Sequence, residues 1–233
     1  AEPLYVSVKE EDAFKLLAID VEKKLNDRVK AILINSPANP TGAVLGAKEL
    51  EDLAALDKMI IADEVYHGIN YSGRDHTILE YTERAIVING FSKRNIMTGW
   101  RLGYLIVPHD MIRAVQNLQQ NLFICACSFI QAAGIAALQE SPETLTERFR
   151  GYDERRHYLY NALKKIGIAP AKLPDGAFYM LANVKKYSMD SYSFALRILT
   201  EAGVAVTPGT DFGPGAEGYL RISYACSMDN LVK

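Results

Sequence analysis

The sequence predicts an α/β fold: a mostly parallel sheet with helices on both faces, followed by a small α+β domain at the C-terminal end. Three observations predict it. Short apolar runs alternate with helix-period segments between Val29 and Val107, the pattern of strands joined by crossover helices. Beyond Gly167 the texture changes to brief strands and turns around one helix. Between the two lies a long helical pattern opening at Pro142, so the expected domains are residues 1–141 and 142–233.

In chain order, Asp20 is expected to cap a short helix through Asn26, and Val29 to Ile34 forms a strand apolar on both faces. It runs into Asn35-Ser36-Pro37-Ala38-Asn39-Pro40-Thr41-Gly42, a turn-dense loop. Ala47 to Leu56 reads as a helix with Leu50, Leu53 and Leu56 on one face. Lys58 to Ala62 is the next strand, stopping at Asp63-Glu64. Val65 to Arg84 is polar and irregular, and the strand Ala85 to Ile88 follows. It enters the loop Asn89-Gly90-Phe91-Ser92-Lys93-Arg94-Asn95-Ile96-Met97-Thr98-Gly99-Trp100-Arg101-Leu102-Gly103-Tyr104, and Leu105 to Val107 leads out. With three glycines and the only tryptophan around its one lysine, that loop is expected to be buried or half-buried.

Asp110 is expected to start a helix carrying Ile112, Val115, Leu118 and Leu122. Ser128 to Gln131 has the form of a capping box opening a second helix. Pro142 suits the first position of a third, with Leu145, Phe149, Tyr152, Leu159 and Leu163, running toward Gly167. The C-terminal strands are expected at Phe178–Leu181, Val204–Val206 and Tyr219–Ser223, flanking a helix from Ser191 to Ala202 that ends at Gly203.

The 233 residues, 49% apolar and 23% charged, can bury one sizeable core or two modest ones. A formal charge of −2, from 26 basic and 28 acidic side chains spread along the chain, offers no electrostatic footprint for nucleic acid or an anionic membrane. No apolar run is long enough to span a bilayer and the first residues lack a secretory plan, so a cytoplasmic protein is the expectation. Cys125, Cys127 and Cys226 have no zinc-like spacing and are expected to behave as small buried hydrophobes. The chain opens on Ala1, with Pro3 to Val8 resembling an interior strand, so trimming or truncation is expected.

In parallel sheets ligands bind beyond the carboxyl ends of the strands. Asn39, Asp63 and Lys93 each follow such an end and are expected to converge on one edge. Burying an ammonium is costly unless it is paired or has shed its proton, so Lys93 is either reactive or snorkels to water. Asp63-Glu64 offers hard oxygen ligands, yet only His67 joins it at a useful spacing, so no metal is assigned. Asp63 can instead hold a proton on a cofactor's ring nitrogen, or cap the next turn. Tyr66 is either a packed aromatic or a phenol donor, and Asn39 can brace its turn. Arg101 can grip a phosphate or a surface acid. Arg221, inside an apolar strand, wants a carboxylate or phosphate for its planar fork. No Gly-x-Ser-x-Gly elbow or Gly-x-Gly-x-x-Gly fingerprint is present.

Jointly, Asn39-Pro40-Thr41-Gly42, Asp63-Glu64-Val65-Tyr66, Ser92-Lys93, Met97-Thr98-Gly99-Trp100-Arg101-Leu102-Gly103-Tyr104, Pro174-Asp175-Gly176-Ala177-Phe178-Tyr179 and Tyr219-Leu220-Arg221-Ile222-Ser223 resemble the class I/II aminotransferases. These are fold-type I pyridoxal-phosphate enzymes related to aspartate aminotransferase, and the resemblance runs through nearly the whole chain. It implies a transaminase exchanging an amino group between an L-amino acid and a 2-oxo acid, with pyridoxal 5'-phosphate as cofactor. Lys93 would form the Schiff base with the cofactor aldehyde and shuttle the substrate proton. Asp63 would pair with the pyridinium nitrogen. Tyr66 and Asn39 would bond the ring's phenolic oxygen, and Arg101, helped by Ser92, would hold the phosphate. Arg221 would clamp the substrate α-carboxylate from the small domain, with Asn39 beside it. A homodimer is implied by the resemblance alone.

The departures from the family pattern are specific. The family's glycine- and serine-rich phosphate cradle and its ring-stacking aromatic lie in a region N-terminal to anything here. Gly90 stands where many relatives place a phosphate-binding serine, and the last helix is short at Lys233. Such a chain is expected to bind cofactor weakly and to be catalytically impaired. Two alternatives stay open: a pyridoxal-phosphate carbon–sulfur lyase or other fold-type I enzyme, and a truncated non-catalytic relative.

Overall fold

The computed structural model describes residues 1–233, the side chain of Pro142 excepted. Its backbone clusters into two units whose segments interleave in sequence. The first comprises residues 1–6, 16–37 and 45–146, the second residues 7–15, 38–44 and 147–233.

In the first unit, α1 (Ala18–Glu22) and α2 (Ala47–Ala54) pack beside four strands: β1 (Ala31–Asn35), β2 (Met59–Asp63), β3 (Ala85–Gly90) and β4 (Gly103–Ile106). The strands lie in the order β1-β2-β3-β4; the first three are parallel and β4 is antiparallel to β3. Alternation puts Ile32, Ile34, Ile60, Ala62, Ala85 and Val87 on one face, where they form a core with Val21, Leu45, Leu50, Leu53 and Ile78. On the other face Leu33 is 69% exposed, so the strand that reads as apolar on both sides buries only one of them here. The helix α2 begins where Glu49 accepts a hydrogen bond from the Gly46 N–H at 2.9 Å.

Several expectations need correction. Asp20 lies inside the first turn of α1, whose N-cap is Leu17, and its carboxylate instead pairs with Lys23 at 2.7 Å. After a turn at His109–Met111 come α3 (Ile112–Phe123) and α4 (Ser128–Leu138). The helix α4 has Cys127 at its N-cap with no side-chain cap, and Gln131 donates to the Ala126 carbonyl at 2.8 Å rather than closing a box. Cys125 and Cys127 are exposed and Cys226 is half-buried, so the three do not act as core hydrophobes. Around Lys93, Phe91 and Met97 are buried, but Trp100 is 42% exposed and Arg101 lies on the surface.

The helix α5 (Pro142–Lys165) opens at the expected proline, and Gly167 beyond its end has a φ of +69°. In the second unit β5 (Tyr179–Asn183), β6 (Thr207–Pro208) and β7 (Tyr219–Ser223) form an antiparallel sheet in the order β5-β7-β6. The edge strand β6 lies beyond the expected Val204–Val206: the ladder pairs Thr207 and Pro208 with Arg221 and Leu220. Between β5 and β6, α6 (Ser191–Ala202) starts at Asp190, whose carboxylate accepts the Ser193 N–H at 2.9 Å and is held below the usual carboxylate range by that bond. Val184, Ala195 and Leu220 form the local core on the α6 side of this sheet. The chain ends in α7 (Met228–Val232), and among the described residues no helix is long and apolar enough to cross a membrane.

Candidate active site

In the first unit, β2 and β3 are parallel neighbours, and their register sets Asp63 opposite Ile88. Asp63 is the last residue of β2. Its Oδ1 accepts the Val65 N–H at 3.1 Å, so one oxygen turns the chain out of the strand. The adjacent acid goes elsewhere. Glu64 is 5% exposed and its Oε1 accepts the Thr77 hydroxyl and the Ile78 N–H, both at 2.9 Å. Its Oε2 lies 3.3 Å from His67 Nδ1. The two consecutive carboxylates therefore serve different ends: Glu64 ties down the irregular segment after β2, and Asp63 is left at the strand edge.

That segment carries Tyr66, which is 3% exposed. The Lys93 ammonium lies over the Tyr66 ring, 5.6 Å from its centroid. Lys93 is half-buried in the loop after β3, where its carbonyl accepts the Ile96 N–H at 3.3 Å; Ser92 beside it is half-buried too. Arg101 closes the loop in a left-handed conformation, φ +55°, and its Nη1 donates to the Thr98 carbonyl at 3.0 Å. At Gly90 an added Cβ would lie 2.9 Å from the Leu102 carbonyl oxygen across the β3–β4 ladder, so the absence of a side chain there is a packing requirement.

The second unit holds Asn39 and Arg221. Asn39 Oδ1 accepts from Arg221 Nη1 at 2.9 Å, and Thr207 Oγ1 accepts from Nη2 at 3.1 Å. The guanidinium carbon sits 4.4 Å from the Tyr179 ring centroid and 4.8 Å from that of Phe212. Its Nε is buried with no hydrogen-bond partner, and among the described residues no carboxylate pairs with it. A guanidinium with no carboxylate against it is suited to an anionic ligand. Sequence reasoning singles out Asn39 and Arg221 but not Thr207, Tyr179 or Phe212. The last three are identified only by the strand register and the loop Gly209–Phe212, which no spacing rule connects to Arg221.

The sequence pattern of the family described as aminotransferase class I and II matches residues 1–233. The chain belongs to that family. It is 38% identical over 239 residues to the aromatic-amino-acid aminotransferase 2 of Thermococcus litoralis, covering 98% of this chain and 61% of that one. It is likewise 38% identical to an aspartate aminotransferase of Pyrococcus abyssi, with the same 98% and 61% coverage. Among solved structures, the aromatic aminotransferase of Pyrococcus horikoshii OT3 superposes with a TM-score of 0.94 at 39% identity, covering 99% of this chain and 64% of that one. A double mutant of Thermus thermophilus aspartate aminotransferase gives 0.92 at 36%, covering 98% and 61%. The chain has the fold-type I α/β architecture of this family and spans about three fifths of the length of these relatives.

Proposed function

We propose that this chain carries cofactor- and substrate-binding parts of a pyridoxal-phosphate-dependent transaminase that exchanges an amino group between an L-amino acid, of the aspartate or aromatic type, and a 2-oxo acid. The observation that carries the reading is the Lys93 ammonium over the buried Tyr66 ring, in the loop after the strand next to Asp63. The names borne by the relatives agree with it.

The donor set fits the cofactor group by group. Lys93 has the amine for an aldehyde, Asp63 the carboxylate for a pyridinium nitrogen, Tyr66 the hydroxyl for a phenolic oxygen, and Arg101 the guanidinium for a phosphate. Ser92 is a further hydroxyl donor in the loop that carries Lys93. When bound, the cofactor supplies an electron sink for the pair released at the substrate Cα. The chain's residues do the rest. Lys93, as its neutral amine, takes the Cα proton as a general base beside the Tyr66 ring. Arg221 holds the substrate carboxylate through its guanidinium, which Asn39 and Thr207 orient from two of its nitrogens. A cytoplasmic homodimer with residues 142–233 as a distinct domain completes the proposal.

Adding pyridoxal 5'-phosphate to the purified chain is expected to give a visible absorption band that Lys93→Ala removes. A band that persists without Lys93, or none with it, overturns the assignment. Amino donors offered with 2-oxoglutarate then report the reaction: a new amino acid and oxo acid support transamination, whereas ammonia with pyruvate or thiol overturns it in favour of a lyase.

A further inference from the structure

One carboxylate of the second unit gathers three donors that lie far apart in sequence. Glu10 Oε1 accepts the Ala171 N–H at 3.0 Å, while Oε2 accepts Asn183 Nδ2 at 2.8 Å and the Tyr219 hydroxyl at 3.0 Å. Asn183 and Tyr219 are directly opposed residues of β5 and β7, so this one group clasps the two strands together from the side. The clasp is reinforced. Phe14, four residues on from Glu10, meets the Tyr219 ring edge-on at 5.9 Å, and Lys185 Nζ stands 4.5 Å over the same ring.

Tyr219 and Arg221 are two residues apart on β7 and therefore project from the same face. Arg221 itself is oriented by the neutral oxygens of Asn39 and Thr207 and by the faces of the Tyr179 and Phe212 rings, with no carboxylate against it among the described residues. Its aim depends on the strand that carries it. Beside the backbone ladders to β5 and β6, the Glu10 carboxylate adds a charge-assisted side-chain bond to Tyr219 of that strand and joins it to Asn183 of β5.

We infer that Glu10 is a positioning residue for carboxylate recognition: by fixing Tyr219 against Asn183 it sets the orientation in which Arg221 presents its guanidinium. The inference rests on the reading of Arg221 as the substrate-carboxylate receptor. It gives the segment around Glu10, remote in sequence from every motif of the site, a part in binding.

The test follows the Arg221 Nε–H by arginine side-chain NMR in the full chain, assigned through Arg221→Lys, while succinate is titrated in. Circular dichroism melts run alongside to show that each variant is folded. In the unmutated chain succinate is expected to shift that resonance. Glu10→Ala is expected to weaken succinate about tenfold, and Glu10→Gln, which keeps one acceptor oxygen, by less. Tyr219→Phe removes only the hydroxyl and is expected to move the Arg221 signal before any succinate is added; it carries the test if Glu10→Ala fails to fold. Wild-type affinity and an unmoved signal in folded Glu10 and Tyr219 variants overturn the positioning role while leaving Arg221 as the receptor. A resonance in the unmutated chain that ignores succinate overturns the receptor reading, and this inference with it.

Discussion

Replacing Glu64 separates the two acids that stand side by side after β2. The Oε1 of Glu64 accepts two hydrogen bonds of 2.9 Å, from the Thr77 hydroxyl and from the N–H of Ile78, a residue with no exposed surface. In Glu64→Ala both donors lose a charged acceptor, each such bond being worth about 1.5–3 kcal/mol, so a loss of about 4 kcal/mol is expected. That is a large share of the roughly 5–15 kcal/mol by which domains are stable. Glu64→Gln behaves differently, because its amide oxygen can keep both donors while its NH₂ faces His67 Nδ1, now 3.3 Å from Oε2 and able to accept. A loss of about 1 kcal/mol is expected for it. Urea unfolding followed by far-UV circular dichroism reads both: with a slope of ~2–3 kcal/mol/M, the alanine variant moves the midpoint down by about 1–2 M and the glutamine variant by less than about 0.5 M. Equal midpoints for the two variants, or an alanine variant within about 1 kcal/mol of the unmutated chain, refute the argument that Glu64 anchors this segment.

Two further outcomes follow from close packing and charge. Gly42 has a φ of +69°, and a Cβ there would lie 2.6 Å from Pro174 Cβ and 2.8 Å from the Gly176 carbonyl oxygen. Gly42→Ala is therefore expected to cost about 3 kcal/mol by urea unfolding, and an unchanged midpoint contradicts it. The Tyr219 hydroxyl is pushed up to about 12, first by burial and then by the charge and hydrogen bond of Glu10. Because the folded chain keeps this proton when the unfolded chain has begun to lose it, Tyr219 supports folding fully below about pH 10 and loses that contribution between about pH 10 and 12. Ultraviolet titration of the tyrosines, compared with Tyr219→Phe, checks the position. In Glu10→Gln the Tyr219 titration is expected to move down toward 10.

Much of the architecture is local and was legible. Pro142 at the start of α5, and Asp190 and Gly203 around α6, carry the backbone chemistry of helix ends in their own side chains. The β2 and β3 strands show in runs of apolar residues that need no partner to be recognised. The errors fall where partners decide. Ser128 and Gln131 spell a capping box, but the chain enters α4 with Cys127 at the cap, and Gln131 reaches back to Ala126. The helix α3 forms where the spacing of its apolar residues expects it, yet Leu118 is 63% and Leu122 75% exposed, because periodicity shows which residues share a face and not what covers it.

The sequence by itself determined the strand–helix alternation, the family, and the residue types a pyridoxal-phosphate site would need: Asp63, Tyr66, Lys93, Arg101 and Arg221. Tertiary structure decided how neighbours in sequence part company and how strangers meet. Asp63 and Glu64 are adjacent, but the pleat turns one toward the strand edge and the other into Thr77 and Ile78. Glu10, Asn183 and Tyr219 share no motif, yet one carboxylate joins them, because an antiparallel ladder opposes residues far apart in the chain and a charged acceptor needs every donor it can gather once it leaves water.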